Sequence, residues 1–456
     1  MDGASTAVVQ ASPIEYDPYT PVNTSIPLSP SHPAYGGPMK NCVEPIIPAD
    51  PNAPKAQAMK LQGPVYLDPL NCIEPIIPAD PNAPKAQAMK LQGPVYRKLH
   101  AMETSDNSDI EDLETFFGSK MEVNIRTLRS QYTSGSAPTT PWASSYWSTF
   151  QDGINRVWKA GEPSPSEKYA VADGLNSSTP CTADADCTNR KDGSVCAKRD
   201  GSTAGYCIPT WFGICHAWAP AAILEPEPQC DVTKNGVTFR VFDIKALVTT
   251  LYGGASIRTV FTGARFNGPD TPATKDQYGR FTNAARRDMG AGFFHIAIAN
   301  IMGKQKRSFV VDVTAGAEVW NQPVRSFVVR NMDLVNTRTA SMKYFGIPTY
   351  PFNDKMVRLA YAKTTFSWIV ESYVDGPLVS TGQVDRYTVA RDYEYLLELD
   401  VNYNIIGGEW VGNSKDDHPD FLWFPTAKPA ANVVTGVGLS YANIQELVQQ
   451  SLSCSA

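Results

Sequence analysis

Two stretches, FSWIVESYV at residues 366–374 and YEYLLELDV at residues 393–401, alternate apolar residues with polar or charged ones. Alternation of this kind, rich in aromatic and β-branched residues, is typical of half-buried β-strands. Similar runs begin after residue 230: VTFRVFDI at 237–244, FFHIAIANI at 293–301 and SFVVDVT at 308–314. The sequence therefore predicts an α+β fold built on an antiparallel sheet.

Helical spacing flanks these strands on both sides. Before them, Trp147, Phe150, Ile154 and Trp158 are spaced by three and four residues, which predicts one buried helix face. After them, YANIQELVQQSL at residues 441–452 predicts a C-terminal helix that docks on the sheet. Helices thus frame the predicted sheet.

The first 100 residues differ from the rest of the chain. They hold 18 of the 36 prolines, and residues 41–66 return at residues 71–96 with only Val43 replaced by Ile73. Proline at this density blocks both helices and ladders. We expect a Pro-rich leader over residues 1–100, an acidic linker or propeptide over residues 101–135, and a globular domain over residues 136–456.

Composition and charge exclude several classes of protein. The net charge of −6 comes without a basic stripe, which argues against a nucleic-acid partner. No apolar stretch is long enough to cross a bilayer, so no membrane partner is expected. Six of the nine cysteines fall within residues 181–230, which indicates disulfides and secretion. No signal peptide is visible, and the triplet at Asn176 is a candidate glycosylation acceptor.

Cys215, in WFGICHAWAPAA at residues 211–222, is the candidate nucleophile. It follows Gly213 and opens a short run of helix formers, and a cysteine at a helix N-terminus is favoured as the thiolate. Pro220 requires this helix to start late or to bend. The alternative is that Cys215 is one more half-cystine, although Cys181, Cys187, Cys196 and Cys207 already make an even set that predicts two disulfides.

A base for this cysteine is sought among five histidines, of which His295 and His418 lie in the predicted domain away from the nucleophile. His295 falls in a predicted β-hairpin whose turn at Gly303 and Lys304 places it opposite Asp312. Such an acid would hold the imidazole in the correct tautomer. His418, among acidic residues, suits a base or a metal ligand, but a structural loop is the favoured interpretation.

The blocks AGFFHIAIAN, WFGICHAWAPAA and IGGEWVGNSKDDHPDFLWFP resemble the oomycete transglutaminase elicitor family from about Asp109 onward. VWNQPVR, comprising Val319, Trp320, Asn321, Gln322, Pro323, Val324 and Arg325, is similar to the hallmark of that family's elicitor peptide, here residues 319–331. Trp320 and Pro323, the residues expected to be read by a plant receptor, are present.

This resemblance implies a papain-like core and a secreted protein-glutamine γ-glutamyltransferase that joins protein glutamine and lysine side chains. Cys215, His295 and Asp312 would be nucleophile, acid/base and orienting acid. No side-chain oxyanion donor stands before Cys215, which leaves its backbone N–H for that role. The chemistry requires no cofactor, and Ca²⁺ is implied only by resemblance. Alternatives are a papain-like peptidase or glutamine deamidase, or a non-catalytic cell-wall protein with an exposed VWNQPVR surface and a disulfide-bonded Cys215.

Overall fold

The protein is described by a computed structural model over residues 108–169, 180–190, 192–198, 202–287 and 289–453. The predicted leader, its repeat and Asn176 lie outside these residues. The helices are Ser108–Phe117 (α1), Ile125–Gln131 (α2), Pro165–Tyr169 (α3), Cys215–Leu224 (α4), Val241–Gly254 (α5), Ala291–Ile298 (α6), Thr337–Phe345 (α7) and Tyr441–Leu452 (α8). No helix in this part of the chain is long and apolar enough to cross a membrane.

The strands form one large sheet and two small ones. They are Ser134–Ser136 (β1), Pro180–Cys181 (β2), Ser194–Ala197 (β3), Gly205–Pro209 (β4), Val232–Lys234 (β5), Val237–Phe239 (β6), Thr259–Gly263 (β7), Val310–Asp312 (β8), Asn321–Val335 (β9), Arg358–Ile369 (β10), Thr388–Leu399 (β11), Ile405–Trp410 (β12) and Phe421–Pro425 (β13). The large sheet has the order β12-β11-β10-β9-β8-β13-β7, with β1 paired to β9. All of these pairs are antiparallel, which confirms the predicted α+β class.

The centre of the large sheet is formed by long strands with continuous registers. β10 and β11 pair over their whole length, from Arg358 opposite Leu399 to Ile369 opposite Thr388. β10 also pairs with β9, with irregularities between Lys363 and Thr364 and between Ser367 and Trp368. Bulges of this kind bend a strand and change which side chains face each layer. Of the stretches predicted as strands, YEYLLELDV supplies residues 393–399 of β11 and FSWIVESYV only residues 366–369 of β10. VTFRVFDI forms β6 and then the start of α5, so its prediction as one strand is wrong.

A second core lies where α4, α5 and α8 pack together. The predicted C-terminal helix is confirmed, with Ile444, Leu447 and Val448 buried. Its docking partner differs from the prediction, because α8 packs against α5 and the small strand β5. The apolar stripe of α8 is matched by α5, a helix whose residues 241–252 are all buried.

Packing begins earlier than the predicted domain start at Ser136. Leu113 of α1 and Leu128 of α2 are buried in the main core, and β1 pairs with β9. Asp109 of α1 also accepts a hydrogen bond from the backbone N–H of Gly263 on β7. Residues 108–135 therefore pack as part of the fold, and the alternative that this segment is a propeptide stays a prediction.

The stripe from Trp147 to Trp158 is buried largely as predicted, but it is not one helix. Two short 3₁₀ turns, Thr149–Gln151 and Gly153–Asn155, replace it. Asp152 lies between them with φ 67°, a left-handed conformation that ends the first turn and precedes the second. Spacing alone could not detect this interruption.

Two disulfides hold the small β2–β4–β3 sheet before Cys215. Cys181 bonds Cys196 and Cys187 bonds Cys207, so the predicted even set is confirmed. Loops of 15 and 20 residues contribute about 3 kcal/mol each in the chain-entropy model. Cys230 is disulfide-bonded as well.

Candidate active site

Cys215 is the first residue of α4 and is buried. Among the described cysteines it is the one that carries a thiol, so the half-cystine alternative is wrong. α4 packs against α5 and against β9 of the large sheet. Pro220 lies inside α4, which nevertheless continues to Leu224. The predicted placement of Cys215 at a helix N-terminus, where the helix dipole favours a thiolate, is confirmed.

The thiol is contacted by the start of the segment that carries VWNQPVR. Its Sγ donates to the backbone oxygen of Val319 at 3.7 Å and accepts from Nδ2 of Asn321 at 3.8 Å. Oδ1 of Asn321 in turn accepts from Nε1 of Trp423 on β13, at 2.7 Å. The sequence did not assign Asn321 or Trp423 to the catalytic site. Asn321 lies 106 residues from Cys215, and Trp423 lies 102 residues from Asn321, so no local pattern connects them.

Asp312 is the acid that the structure brings near this group. It lies at the end of β8 directly opposite Asn321 on β9, and opposed residues have Cβ atoms about 4.5–5.5 Å apart. Its Oδ1 accepts from the backbone N–H groups of Trp320 and Thr314 and from the Thr314 hydroxyl. Oδ2 is buried with no hydrogen-bond partner in the described part of the chain.

Burial has a large effect on the Asp312 carboxyl. It raises the pKa of Asp312 to about 7, although the hydrogen bonds from Trp320 and Thr314 and the charge of Arg265 act in the opposite direction. The group therefore titrates near neutrality. A carboxyl with a pKa in that range can change its proton occupancy during a reaction at physiological pH.

His295 is not placed as the hairpin prediction required. FFHIAIANI belongs to α6 and to the π-helical turn Ala299–Lys304 that follows it. His295 therefore has no cross-strand register with Asp312, and that part of the prediction is wrong. The run is apolar on every side because α6 is fully buried, and a short apolar run does not distinguish a buried strand from a buried helix.

The hydrogen bonds of His295 point to another part of the sheet. Its Nδ1 lies 2.7 Å from the hydroxyl of Tyr395 on β11, which also lies 2.7 Å from the hydroxyl of Thr364 on β10. Nε2 is buried with no hydrogen-bond partner in the described residues. Burial lowers the pKa of His295 to about 4. Asn321 thus contacts the sulfur of Cys215 and lies opposite Asp312, whereas the hydrogen bond of the His295 ring within the described residues goes to Tyr395.

His418 occupies a buried loop, in agreement with the favoured interpretation. Its ring stacks on Trp410 with centroids 5.3 Å apart, and its Nδ1 lies 2.9 Å from the backbone oxygen of Ser414. The neighbouring acids are used locally, since Asp416 pairs with Lys275 and Asp417 with Arg391. These ion pairs give Asp416 and Asp417 a structural role in the loop.

The VWNQPVR part of the predicted elicitor peptide lies inside the molecule, whereas Arg330 and Asn331 at the end of the peptide are exposed. Residues 319–324 are buried, and only Arg325 among the seven hallmark residues is partly exposed. Trp320 packs edge-on against Tyr146, with ring centroids 5.3 Å apart. The prediction of an exposed VWNQPVR surface is wrong, because β9 runs between β8 and β10 in the interior of the sheet.

Comparison with known proteins agrees with this architecture. The model of the transglutaminase elicitor family matches residues 109–179 and 173–454. The chain belongs to this family. It is also similar to the crystal structure of the GP42 transglutaminase from Phytophthora sojae, with 48% sequence identity and a TM-score of 0.68, over 77% of this chain and 99% of that chain. No protein with curated annotation matches the chain.

Proposed function

We propose that this family member is a protein-glutamine γ-glutamyltransferase with Cys215 as its nucleophile. The observation that carries the proposal is the buried thiol at the N-terminus of α4, beside the amide of Asn321, which lies opposite Asp312 in the sheet. The similarity to a solved transglutaminase supports the same reaction class. A thiolate in this position suits acyl transfer through a covalent intermediate.

The reaction would proceed in two displacements. The Cys215 thiol gives up its proton, and the thiolate attacks the γ-carboxamide carbon of a protein glutamine while the carbonyl electron pair moves to oxygen. The tetrahedral adduct then collapses with release of ammonia, which leaves with the proton that the thiol gave up. A lysine amine then attacks the thioester and loses a proton. The carbon–sulfur bond breaks, the proton of the amine returns to the sulfur to restore the thiol, and an isopeptide bond remains.

We assign the proton transfers to His295 and the orienting carboxylate to Asp312, as the family resemblance implies. A pKa of about 4 keeps His295 neutral at physiological pH, and its Nε2 has no hydrogen-bond partner in the described residues. A neutral ring nitrogen of this kind can accept a proton from the attacking amine. This assignment requires His295 to approach the acyl group during the reaction, because Tyr395 holds it in the described state.

Water must be excluded for transfer to prevail over hydrolysis. Trp211, Trp218 and Trp320 are all buried around α4 and β9, and Tyr146 packs against Trp320. Apolar walls of this kind favour the amine over water in the second step. If they fail, the same site would act as a glutamine deamidase or as a papain-like peptidase.

Secretion and elicitor activity complete the proposal. The two disulfides Cys181–Cys196 and Cys187–Cys207 are those of an oxidising compartment. A papain-like arrangement of the core and a plant receptor for residues 319–331 follow from the family resemblance, as does Ca²⁺. Because residues 319–324 are buried, a synthetic 319–331 peptide should elicit defence at lower concentrations than the folded chain. Equal potency of the two would show that the segment opens in the native protein.

The test is mass spectrometry of a glutamine-donor peptide incubated with a primary amine and the full chain. Amine incorporation should disappear in Cys215→Ala and His295→Ala. His418→Ala is the matched control, because His418 is also a buried histidine whose pKa burial lowers to about 4. Conversion of glutamine to glutamate would identify a deamidase. Activity retained in His295→Ala would remove His295 from the mechanism.

A further inference from the structure

The amide of Asn321 is held in a single orientation beside the reactive sulfur. Trp423 donates to Oδ1 of Asn321 at 2.7 Å, and an indole N–H is a donor only. The carbonyl end of the amide must therefore face Trp423, and the NH₂ end faces Sγ of Cys215 at 3.8 Å. All three side chains are buried, with exposed fractions of 4% for Cys215, 1% for Asn321 and 2% for Trp423.

The supports of this amide come from three strands and one helix. Asn321 opens β9, Trp423 lies on β13, and β8 pairs with both strands. α4 packs against β9 from the side that carries Cys215. The amide is thus fixed by backbone ladders rather than by a mobile loop, which is the kind of support that a preorganised donor needs.

We propose that Asn321 is the side-chain oxyanion donor of the Cys215 reaction, held in place by Trp423 as a positioning residue. This inference rests on the proposed thioester chemistry. No side-chain oxyanion donor stands in the sequence just before Cys215, and Asn321, 106 residues after it, would supply that donor.

The proposed donor acts without transferring a proton. Before the reaction, the Nδ2–H group of Asn321 solvates the Cys215 thiolate. When the carbon–sulfur bond forms, the negative charge moves from sulfur to the carbonyl oxygen, which is bonded to the same carbon. The amide hydrogen bond then passes to that oxygen, together with the backbone N–H of Cys215 at the start of α4. On collapse, the charge returns to the carbonyl double bond and ammonia leaves.

The test compares Asn321→Ala and Trp423→Phe with the wild-type chain. A lost oxyanion donor typically lowers kcat by about 10²–10³-fold, and we expect a loss of that size in Asn321→Ala with little change in KM. Trp423→Phe releases the amide to rotate, so a smaller loss of kcat is expected. Trp158→Phe is the matched control, because its indole also donates at 2.7 Å, to Asp243, and packs against the second core rather than the one that contains Cys215.

A second measurement separates this inference from the proposed function. The rate of Cys215 alkylation by iodoacetamide is followed against pH, and both site variants should need a higher pH for half-maximal rate than Trp158→Phe. If the wild-type chain transfers no acyl group, the proposed function fails, and the alkylation profile still tests the amide. If Asn321→Ala folds and shows wild-type kcat and an unchanged alkylation profile, the inference is overturned. If Asn321→Ala does not fold, the same two results in Trp423→Phe would overturn it.

Discussion

Replacing Asp312 by Asn tests the raised pKa of this carboxyl through stability. Burial raises the pKa of Asp312 from 3.8 to about 7. Between these values the folded protein keeps a proton that the unfolded chain releases, so the free energy of unfolding falls as pH rises through this window. The pKa difference of roughly 3 corresponds to about 4 kcal/mol, which is present in full below pH ~4 and lost above pH ~7.

Asp312→Asn removes this titration but leaves an amide where Oδ2 has no hydrogen-bond partner in the described residues. An unsatisfied buried donor costs about 1–3 kcal/mol at every pH. We therefore expect the variant to be less stable than the wild type at pH 4 and more stable at pH 8. The change in their difference between the two values should be about 4 kcal/mol.

The assay is urea unfolding of both proteins at several pH values, with the disulfides intact. Asp333→Asn is the control, because Asp333 is an exposed acid paired with Arg129, and an exposed ion pair contributes little to stability. Parallel stability curves for Asp312→Asn and the wild type would refute the raised pKa. Amine transfer by the wild type should rise through pH ~7, as Asp312 ionises, and Asp312→Asn should lack this step.

Two further substitutions test the packing that holds the site. Lys245→Met should lower the free energy of unfolding by about 3–5 kcal/mol in urea titrations. The reason is that Glu227, whose Oε1 lies 2.7 Å from Nζ of Lys245, would be left buried without its cation. A loss below about 1 kcal/mol would contradict this. Gly292→Ala places a Cβ 2.4 Å from the backbone oxygen of Gly407 and should cost about 1–3 kcal/mol. Gly253→Ala is its control, because the new Cβ meets only an ordinary contact at 3.4 Å, and equal melting temperatures for the two would show that α6 moves without cost.

Local signals in the sequence were enough for several elements. The pattern in YEYLLELDV predicts a strand that the structure confirms in β11, and the first four residues of FSWIVESYV end β10. The spacing of Ile444, Leu447 and Val448 predicts α8. The pattern of α8 is reliable because its buried face contrasts with an exposed one, whereas residues 366–369 and 395–399 are buried on both faces.

The same reasoning failed where that contrast is absent. FFHIAIANI is buried on every side as α6, so neither a period of two nor one of 3.6 residues is visible in it. The pairing of His295 with Asp312 depended on that assignment and was lost with it. Gly292, next to FFHIAIANI, is a glycine where the backbone of Gly407 approaches closely.

The sequence by itself determined the class of the fold, the even set of disulfide cysteines and the position of Cys215 at the start of a helix. Each depends on residues that are close in the chain or on composition. Only the tertiary structure decided that Asn321 lies beside Cys215, that Tyr395 holds His295, and that the VWNQPVR segment is buried. These contacts join residues about 100 positions apart, and they depend on strand order and on bulges, which side-chain periodicity does not encode.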